Sequence, residues 1–141
     1  MKKLIAALFA AVLMAAGLVV ASGSTASANC DPSTQYGGCT RTETKAQVPD
    51  VAAQGERARI CARVNAVNSN AKPEGRVIFK INRKGGGYFE KQAVAYEGGK
   101  TCITTRVLNR KGKYLVVAKF QSDAGSTFTN SRGENDFRVK G

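Results

Sequence analysis

Histidine and tryptophan are both absent from the 141 residues of the chain. Without histidine, neither a Ser-His nor a Cys-His nucleophile pair can form, and a histidine-containing zinc site is excluded. Carboxylates and lysines remain as candidates for catalysis, but the acidic residues share no spacing that would pair them, so we expect them to be solvated. These acidic residues include Glu90, Glu97, Asp123, Glu134 and Asp136. The sequence therefore predicts a protein that is not an enzyme and binds no cofactor or metal.

Long apolar runs are also scarce, and the one that could span a bilayer lies at the beginning of the chain. Lys2 and Lys3 precede an apolar stretch over 4–21, and small residues follow up to Ala28. This order of a basic start, an apolar middle and an A-x-A site is typical of a secretory signal peptide. We expect cleavage after Ala28 and a secreted, extracellular product, free or associated with the cell wall. A retained membrane anchor is the alternative.

Acidic residues are few, with 10 against 22 lysines and arginines. Loss of Lys2 and Lys3 with the signal peptide leaves 20 basic residues, a formal charge of +10. Such a field attracts anionic envelope polymers, anionic lipid and nucleic acid. Because no nucleic-acid recognition motif is present, we predict no specific nucleic-acid partner. Solubility alone is the other explanation of the charge.

Four cysteines in an exported chain predict two disulfides, since the compartment is oxidising. Cys30 and Cys39 bracket the stretch DPSTQYGG, which is rich in turn-forming residues. Pairing of these two would close a disulfide-stapled N-terminal segment over 29–39. Three pairings of four cysteines are possible, and the placement of the strands decides between them.

Beyond Thr40, short stretches of alternating apolar and polar residues are separated by turn-forming clusters, and no stretch has a helical period. This pattern predicts one all-β domain over 40–141, built of about seven strands. The predicted strands are Arg41–Val48, Arg57–Val67, Arg76–Asn82, Tyr88–Ala95, Thr101–Val107, Lys113–Gln121 and Asn135–Lys140.

The alternation also predicts which side chains fill the space between two sheets. The expected inward positions are Ile60, Ala62, Val64, Val77, Phe79, Ile81, Ile103, Val107, Tyr114, Val116, Ala118, Phe120, Phe137 and Val139.

The same alternation places two cysteines on an outer face. In the stretch RARICARV, Cys61 lies on the arginine side, and because Ile103 and Val107 are expected to point inward, Cys102 points outward. Directly opposed residues in an antiparallel pair approach closely enough for a disulfide. We therefore predict a solvent-side bridge between Cys61 and Cys102. By closing the loop between these residues, the bridge should stabilise the fold by about 4 kcal/mol in the chain-entropy model.

Two stretches carry a resemblance to a known family. GRVIFKIN at 75–82 and GKYLVVAKF at 112–120 are followed by Phe128 and by the pair Phe137 and Val139. Together they resemble the bacterial immunoglobulin-like domain family, group 3 type. The resemblance implies an immunoglobulin-like Greek-key β-sandwich, and domains of this family serve as adhesive modules, wall-associated spacers or appendages to enzymes.

Two candidate partner surfaces follow from the outward positions. If the strands containing Val77 and Val116 pair, then Ile78, Leu115 and Val117 form an apolar strip, which is either covered by another segment or a binding surface. Cations flank this strip, namely Arg76, Lys80, Lys119 and Arg138. The opposite face is expected to be cationic through Arg57, Arg59, Arg63 and Arg106.

The resulting hypothesis is a secreted, non-enzymatic binding or structural module that associates with an anionic cell-envelope polymer or a protein partner. A carrier of a small ligand is one alternative, which would need an open apolar cleft. A secreted protease inhibitor is another, with the loop between Cys30 and Cys39 as its reactive segment.

Overall fold

The computed structural model describes Cys30 and residues 38–141, so the expected signal peptide and most of the loop between the first two cysteines lie outside the described residues. The described part forms eight strands and no helix. The strands are β1 (Thr42–Gln47), β2 (Val51–Ala53), β3 (Arg59–Ala66), β4 (Gly75–Arg83), β5 (Gly87–Tyr96), β6 (Lys100–Thr104), β7 (Gly112–Ser122) and β8 (Ser131–Lys140).

The strands form two sheets that enclose one core. The smaller sheet has the order β1-β3-β6, and the larger has the order β2-β8-β7-β4-β5. Neighbouring strands are antiparallel, except that the short β2 runs parallel to β8. The prediction of an all-β, immunoglobulin-like sandwich is confirmed. Strand β2 was not predicted, because three residues are too few to show an alternation.

Strand β8 begins four residues before its predicted start at Asn135, and Gly133 explains the difference. Gly133 lies opposite the buried Ala118, so its missing side chain would point into the sandwich. A Cβ there would collide with the carbonyl oxygen of Thr44 on β1. The first half of β8 thus meets the backbone of β1 directly, and no apolar inward side chain marks it in the sequence.

Side-chain hydrogen bonds also join the two sheets where β1 meets β8. The hydroxyls of Thr44 and Ser131 lie 2.7 Å apart, and Asn135 Nδ2 donates to the carbonyl oxygen of Ala46 at 3.1 Å. Because polar groups buried between sheets need partners, these bonds fix how β1 crosses β8.

The core lies between the sheets, and of the predicted inward positions all but Val107 are buried. Tyr114 stacks on Phe137 with ring centroids 5.4 Å apart. Three fully buried residues were not predicted to be inward: Tyr96, whose hydroxyl reaches the backbone of Val64, Thr105 and Leu108.

The prediction that Val107 points inward on a strand is wrong. Strand β6 ends at Thr104, and the buried Thr105 turns its hydroxyl to accept a hydrogen bond from the backbone N–H of Ala58 at 2.9 Å. The alternation stops there, so Leu108 fills the core, while Val107 is half-buried.

The predicted bridge between β3 and β6 is confirmed. Cys61 and Cys102 are register partners with Cα atoms 4.0 Å apart, and the Cα atoms of Cys30 and Cys39 lie 5.7 Å apart. The sulfurs of the first pair were expected on the solvent side, but Cys61 is only 6% exposed. Its other register partner, Gln47, flanks it on β1. Two disulfides indicate a non-cytoplasmic environment.

In the described part of the chain, no helix has the length and apolar character needed to cross a membrane.

Candidate functional site

The outer face of the three-stranded sheet carries three cations in one line, which we call the cationic row. Lys45 on β1 is the register partner of Arg63 on β3, and Arg63 is the partner of Lys100 on β6. All three residues are exposed. Neither ion pair found among the described residues involves them. The row therefore places three positive charges, none of them in an ion pair within the described residues, across three adjacent strands.

One further cation and one carboxylate border the cationic row. Arg59, also exposed, lies two residues from the Cys61–Cys102 bridge, which separates it from the row. Glu43 is the acidic residue on the outer face of β1, and its register partner is Asn65 rather than a cation. The predicted surface residues Arg59 and Arg63 thus share a face, as expected.

The outer face of the five-stranded sheet holds the predicted apolar strip. Strands β4 and β7 do pair, with Ile78 opposite Lys119 and Lys80 opposite Val117. Val117 is only 5% exposed, whereas Leu115 is 36% exposed. Val117 lies in the central strand with Lys80 on one side and Glu134 on the other, and long side chains in such positions cover an apolar neighbour. The three apolar residues therefore form no continuous exposed strip.

Charge on this second face is partly compensated. Lys113 Nζ lies 2.9 Å from Asp136 Oδ2, and Arg132 pairs with Glu134. The remaining predicted cations are Arg76, whose Nε donates to Gln121, and Lys80, Lys119 and Arg138. Two carboxylates, Glu134 and Asp136, therefore lie among the cations of this face and neutralise part of its charge.

A cleft at one end of the sandwich gathers the other predicted arginines. Its volume is about 540 Å³, and its aromatic lining comes from Tyr88, Phe89 and Tyr114. Its arginines are Arg57, Arg83, Arg106 and Arg110. We call it the arginine cleft. Arg57 and Arg106 had been placed on the same face as Arg59 and Arg63, but they lie here, in connections beyond the ends of β3 and β6.

Sequence reasoning missed Arg110 and Tyr88 as parts of a site. They come from the β6–β7 connection and the start of β5, so no spacing in the sequence relates them. The only signal was the presence of an arginine in each of several turns that meet at one end of a sandwich.

Backbone hydrogen bonds hold the β6–β7 connection against the turn before β3. Leu108 N–H donates to the carbonyl oxygen of Glu56 at 2.8 Å, and Gly55 N–H donates to that of Leu108 at 3.0 Å. Tyr114 adds a bond from its hydroxyl to the carbonyl oxygen of Arg110 at 2.9 Å. The backbone that carries Arg57, Arg106 and Arg110 is therefore fixed by the fold.

Arg106 is the most constrained of the four arginines. Its guanidinium lies 4.3 Å from the centroid of the Phe89 ring and donates to the Phe89 carbonyl oxygen. Phe89 in turn meets Tyr114 edge-on, with ring centroids 5.3 Å apart. The wall of the cleft is thus continuous with the core through Tyr114.

The lining of the arginine cleft contains no carboxylate. The nearby Glu90 carboxylate accepts hydrogen bonds from the backbone N–H of Arg106 at 3.0 Å and from Gln92 Nε2 at 2.6 Å. Guanidinium groups bind carboxylates and phosphates in a planar, bidentate geometry. The cleft can therefore bind an anion and repels metal cations; among the described residues, no group of three or more potential metal ligands occurs.

Comparisons with known proteins identify the fold and go no further. No family model matches the sequence, and no curated protein matches it. The solution structure of the CARDB domain of the PF1109 protein from Pyrococcus furiosus is similar at 16% identity and a TM-score of 0.50, covering 73% of this chain and 97% of that domain. A crystal structure of the same domain in complex with di-metal ions matches at 17% identity and a TM-score of 0.48, covering 77% of this chain and 95% of that one. The likeness to the solution structure supports an immunoglobulin-like β-sandwich.

Proposed function

We propose that the protein is a secreted, non-enzymatic immunoglobulin-like module that binds an anionic polymer of the cell envelope through the cationic row. The observation that carries the proposal is the direct register of Lys45, Arg63 and Lys100. Like charges directly opposite each other in a sheet are destabilising. An anionic chain lying across the three strands would relieve that repulsion, so binding and relief of strain would act together.

The geometry favours a polymer over a compact anion. Neighbouring strands are about 4.8 Å apart, so the three cations are spread over roughly 10 Å. A chain with one negative charge per repeat meets all three cations at once, and each contact raises the effective concentration for the next. A protein partner with an acidic patch is the alternative, and it would depend on the same residues.

Secretion and family membership belong to the proposal as well. The basic, apolar and small-residue segments of 1–28 support export, and the two disulfides agree with an oxidising compartment. The stretches 75–82 and 112–120, which form most of β4 and most of β7, support membership of the bacterial immunoglobulin-like domain family, group 3 type.

The two alternative functions fare differently. The carrier hypothesis needs an open apolar cleft or an apolar cavity of ligand size. In the described residues the space between the sheets is filled by core side chains, such as Phe79, Val116 and Phe120, which favours the binding module. The inhibitor hypothesis depends on the loop between Cys30 and Cys39, which lies mostly outside the described residues.

Retention on purified cell wall at increasing salt concentration tests the proposal. We expect the protein to be retained at low ionic strength and released as salt screens exposed charges. The triple variant Lys45→Gln/Arg63→Gln/Lys100→Gln should be released at a lower salt concentration than the native protein.

A matched variant separates the cationic row from net charge. Lys84→Gln/Lys111→Gln/Lys140→Gln removes the same number of exposed cations elsewhere on the surface. Equal release of the two triple variants would show that only net charge matters, and retention that ignores salt would contradict the electrostatic mechanism.

A further inference from the structure

We infer that the arginine cleft is a second binding site, separate from the cationic row, and that it takes a phosphorylated sugar. The site goes beyond the proposed function, because its residues belong to one end of the sandwich and not to the outer face of the three-stranded sheet. It would stand even if binding to the envelope polymer failed.

The charge of the cleft points to a phosphate group. Arg57, Arg83, Arg106 and Arg110 converge on one cleft, and neither ion pair of the described residues involves any of them. A single carboxylate would leave most of this charge uncompensated. A phosphate monoester carries up to two negative charges and offers oxygens to several guanidinium groups at once.

Contacts of Arg106 position one guanidinium group before binding, and the absence of a side chain at Gly86 leaves space for a second. Arg106 is held over Phe89. Arg83 lies over the β4–β5 turn, where a Cβ on Gly86 would come within 2.6 Å of its Nε atom. Groups that are ordered before binding lose less conformational entropy when the ligand arrives. Gly86 thus leaves room for Arg83 at the edge of the cleft.

The size and the walls of the cleft point to a ring attached to the phosphate. A volume of about 540 Å³ lies within the range of small-molecule sites and exceeds what a phosphate alone would fill. Tyr88 is 63% exposed, and it is an aromatic side chain of the lining that is open to solvent. Its face can pack against a sugar ring while its hydroxyl and Asn109 offer hydrogen bonds.

Isothermal titration calorimetry with glucose 6-phosphate as the probe tests this inference. We expect one binding site per protein, with weaker binding of inorganic phosphate and weaker binding still of glucose. The variant Arg57→Gln/Arg110→Gln should weaken binding at least roughly tenfold, because each charge-assisted hydrogen bond is worth on the order of 1.5–3 kcal/mol. Neither side chain makes a hydrogen bond or ion pair within the described residues, so the fold should persist.

The control variant Arg59→Gln/Arg63→Gln removes the same charge from the outer face of the three-stranded sheet, and it should leave the affinity for glucose 6-phosphate unchanged. Tyr88→Ala should reduce the affinity for glucose 6-phosphate to that for inorganic phosphate. Absence of binding, or equal weakening by the two double variants, would overturn the inference. Wall retention of the same proteins reports independently on the proposed function, since only the Arg59→Gln/Arg63→Gln variant touches the cationic row.

Discussion

The hydroxyl of Tyr96 joins two strands and a turn inside the protein. It accepts a hydrogen bond from the backbone N–H of Val64 at 2.8 Å and lies 2.7 Å from the carbonyl oxygen of Gly99, to which it donates. The residue is 1% exposed, so no water replaces the hydroxyl if it is removed. A buried polar group left without a partner costs more than the bond itself contributes.

Tyr96→Phe is therefore expected to lower the free energy of unfolding by about 1–3 kcal/mol, because Val64 N–H loses its partner. Urea denaturation followed by circular dichroism measures the change. Tyr88→Phe is the matched control: the Tyr88 hydroxyl has no hydrogen bond among the described residues, and the side chain is 63% exposed. A loss for Tyr96→Phe as small as that of the control would contradict the role assigned to the hydroxyl.

Individual residues also show what the sequence could and could not predict. The alternation around Ile60 identified the buried face and the arginine face of β3, since side chains in a strand point to opposite sides. The 5% exposure of Val117 was not visible in the sequence. An outward position becomes buried only through its cross-strand neighbours, Lys80 and Glu134, and these are fixed by tertiary pairing.

At the scale of elements, the disulfide between β3 and β6 is expected to stabilise the fold more than the disulfide near the N-terminus. The bridge of Cys61 and Cys102 spans 41 residues of sequence, and that of Cys30 and Cys39 spans 9. The chain-entropy model gives about 4 kcal/mol for the longer loop and roughly 2.5 kcal/mol for the shorter one. The longer bridge also fixes β6, which pairs with β3 on one side only.

The double variant Cys61→Ala/Cys102→Ala should therefore lose more stability than Cys30→Ala/Cys39→Ala, by on the order of 1–2 kcal/mol. Thermal unfolding of both proteins under oxidising conditions measures the order of the two midpoints. If the N-terminal pair proved the more stabilising, β6 would have to be held chiefly by its packing and not by the bridge.

Strands with a clear apolar alternation were predicted from the sequence, whereas the short β2 and the first half of β8 were not. β3, β4 and β7 bury a side chain at nearly every second position and were predicted close to their observed bounds. The first half of β8 uses Gly133 and Ser131 to approach β1, so it lacks that signal. The arginine cleft was missed for the same reason, because three separate connections form it.

The whole molecule carries far more positive than negative charge. The sequence contains 22 basic and 10 acidic residues, and the described part contains two ion pairs. A net charge far from zero destabilises the compact state through self-repulsion, and repulsion is strongest where like charges are held close together. The cationic row is such a place, since three strands fix its members side by side.

Added salt should therefore stabilise the folded protein. We expect the thermal unfolding midpoint to rise between low and physiological ionic strength, because the Debye length falls to about 8 Å and screens the repulsion between neighbouring cations. The triple variant Lys45→Gln/Arg63→Gln/Lys100→Gln should be more stable than the native protein at low salt, by roughly 0.2–1 kcal/mol for each like-charged pair removed.

The unfolding midpoint of this triple variant should also respond less to salt than that of Lys84→Gln/Lys111→Gln/Lys140→Gln, which has the same net charge. An equal response of the two variants would mean that repulsion is spread over the surface, and the row would then store no strain for an anionic partner to relieve.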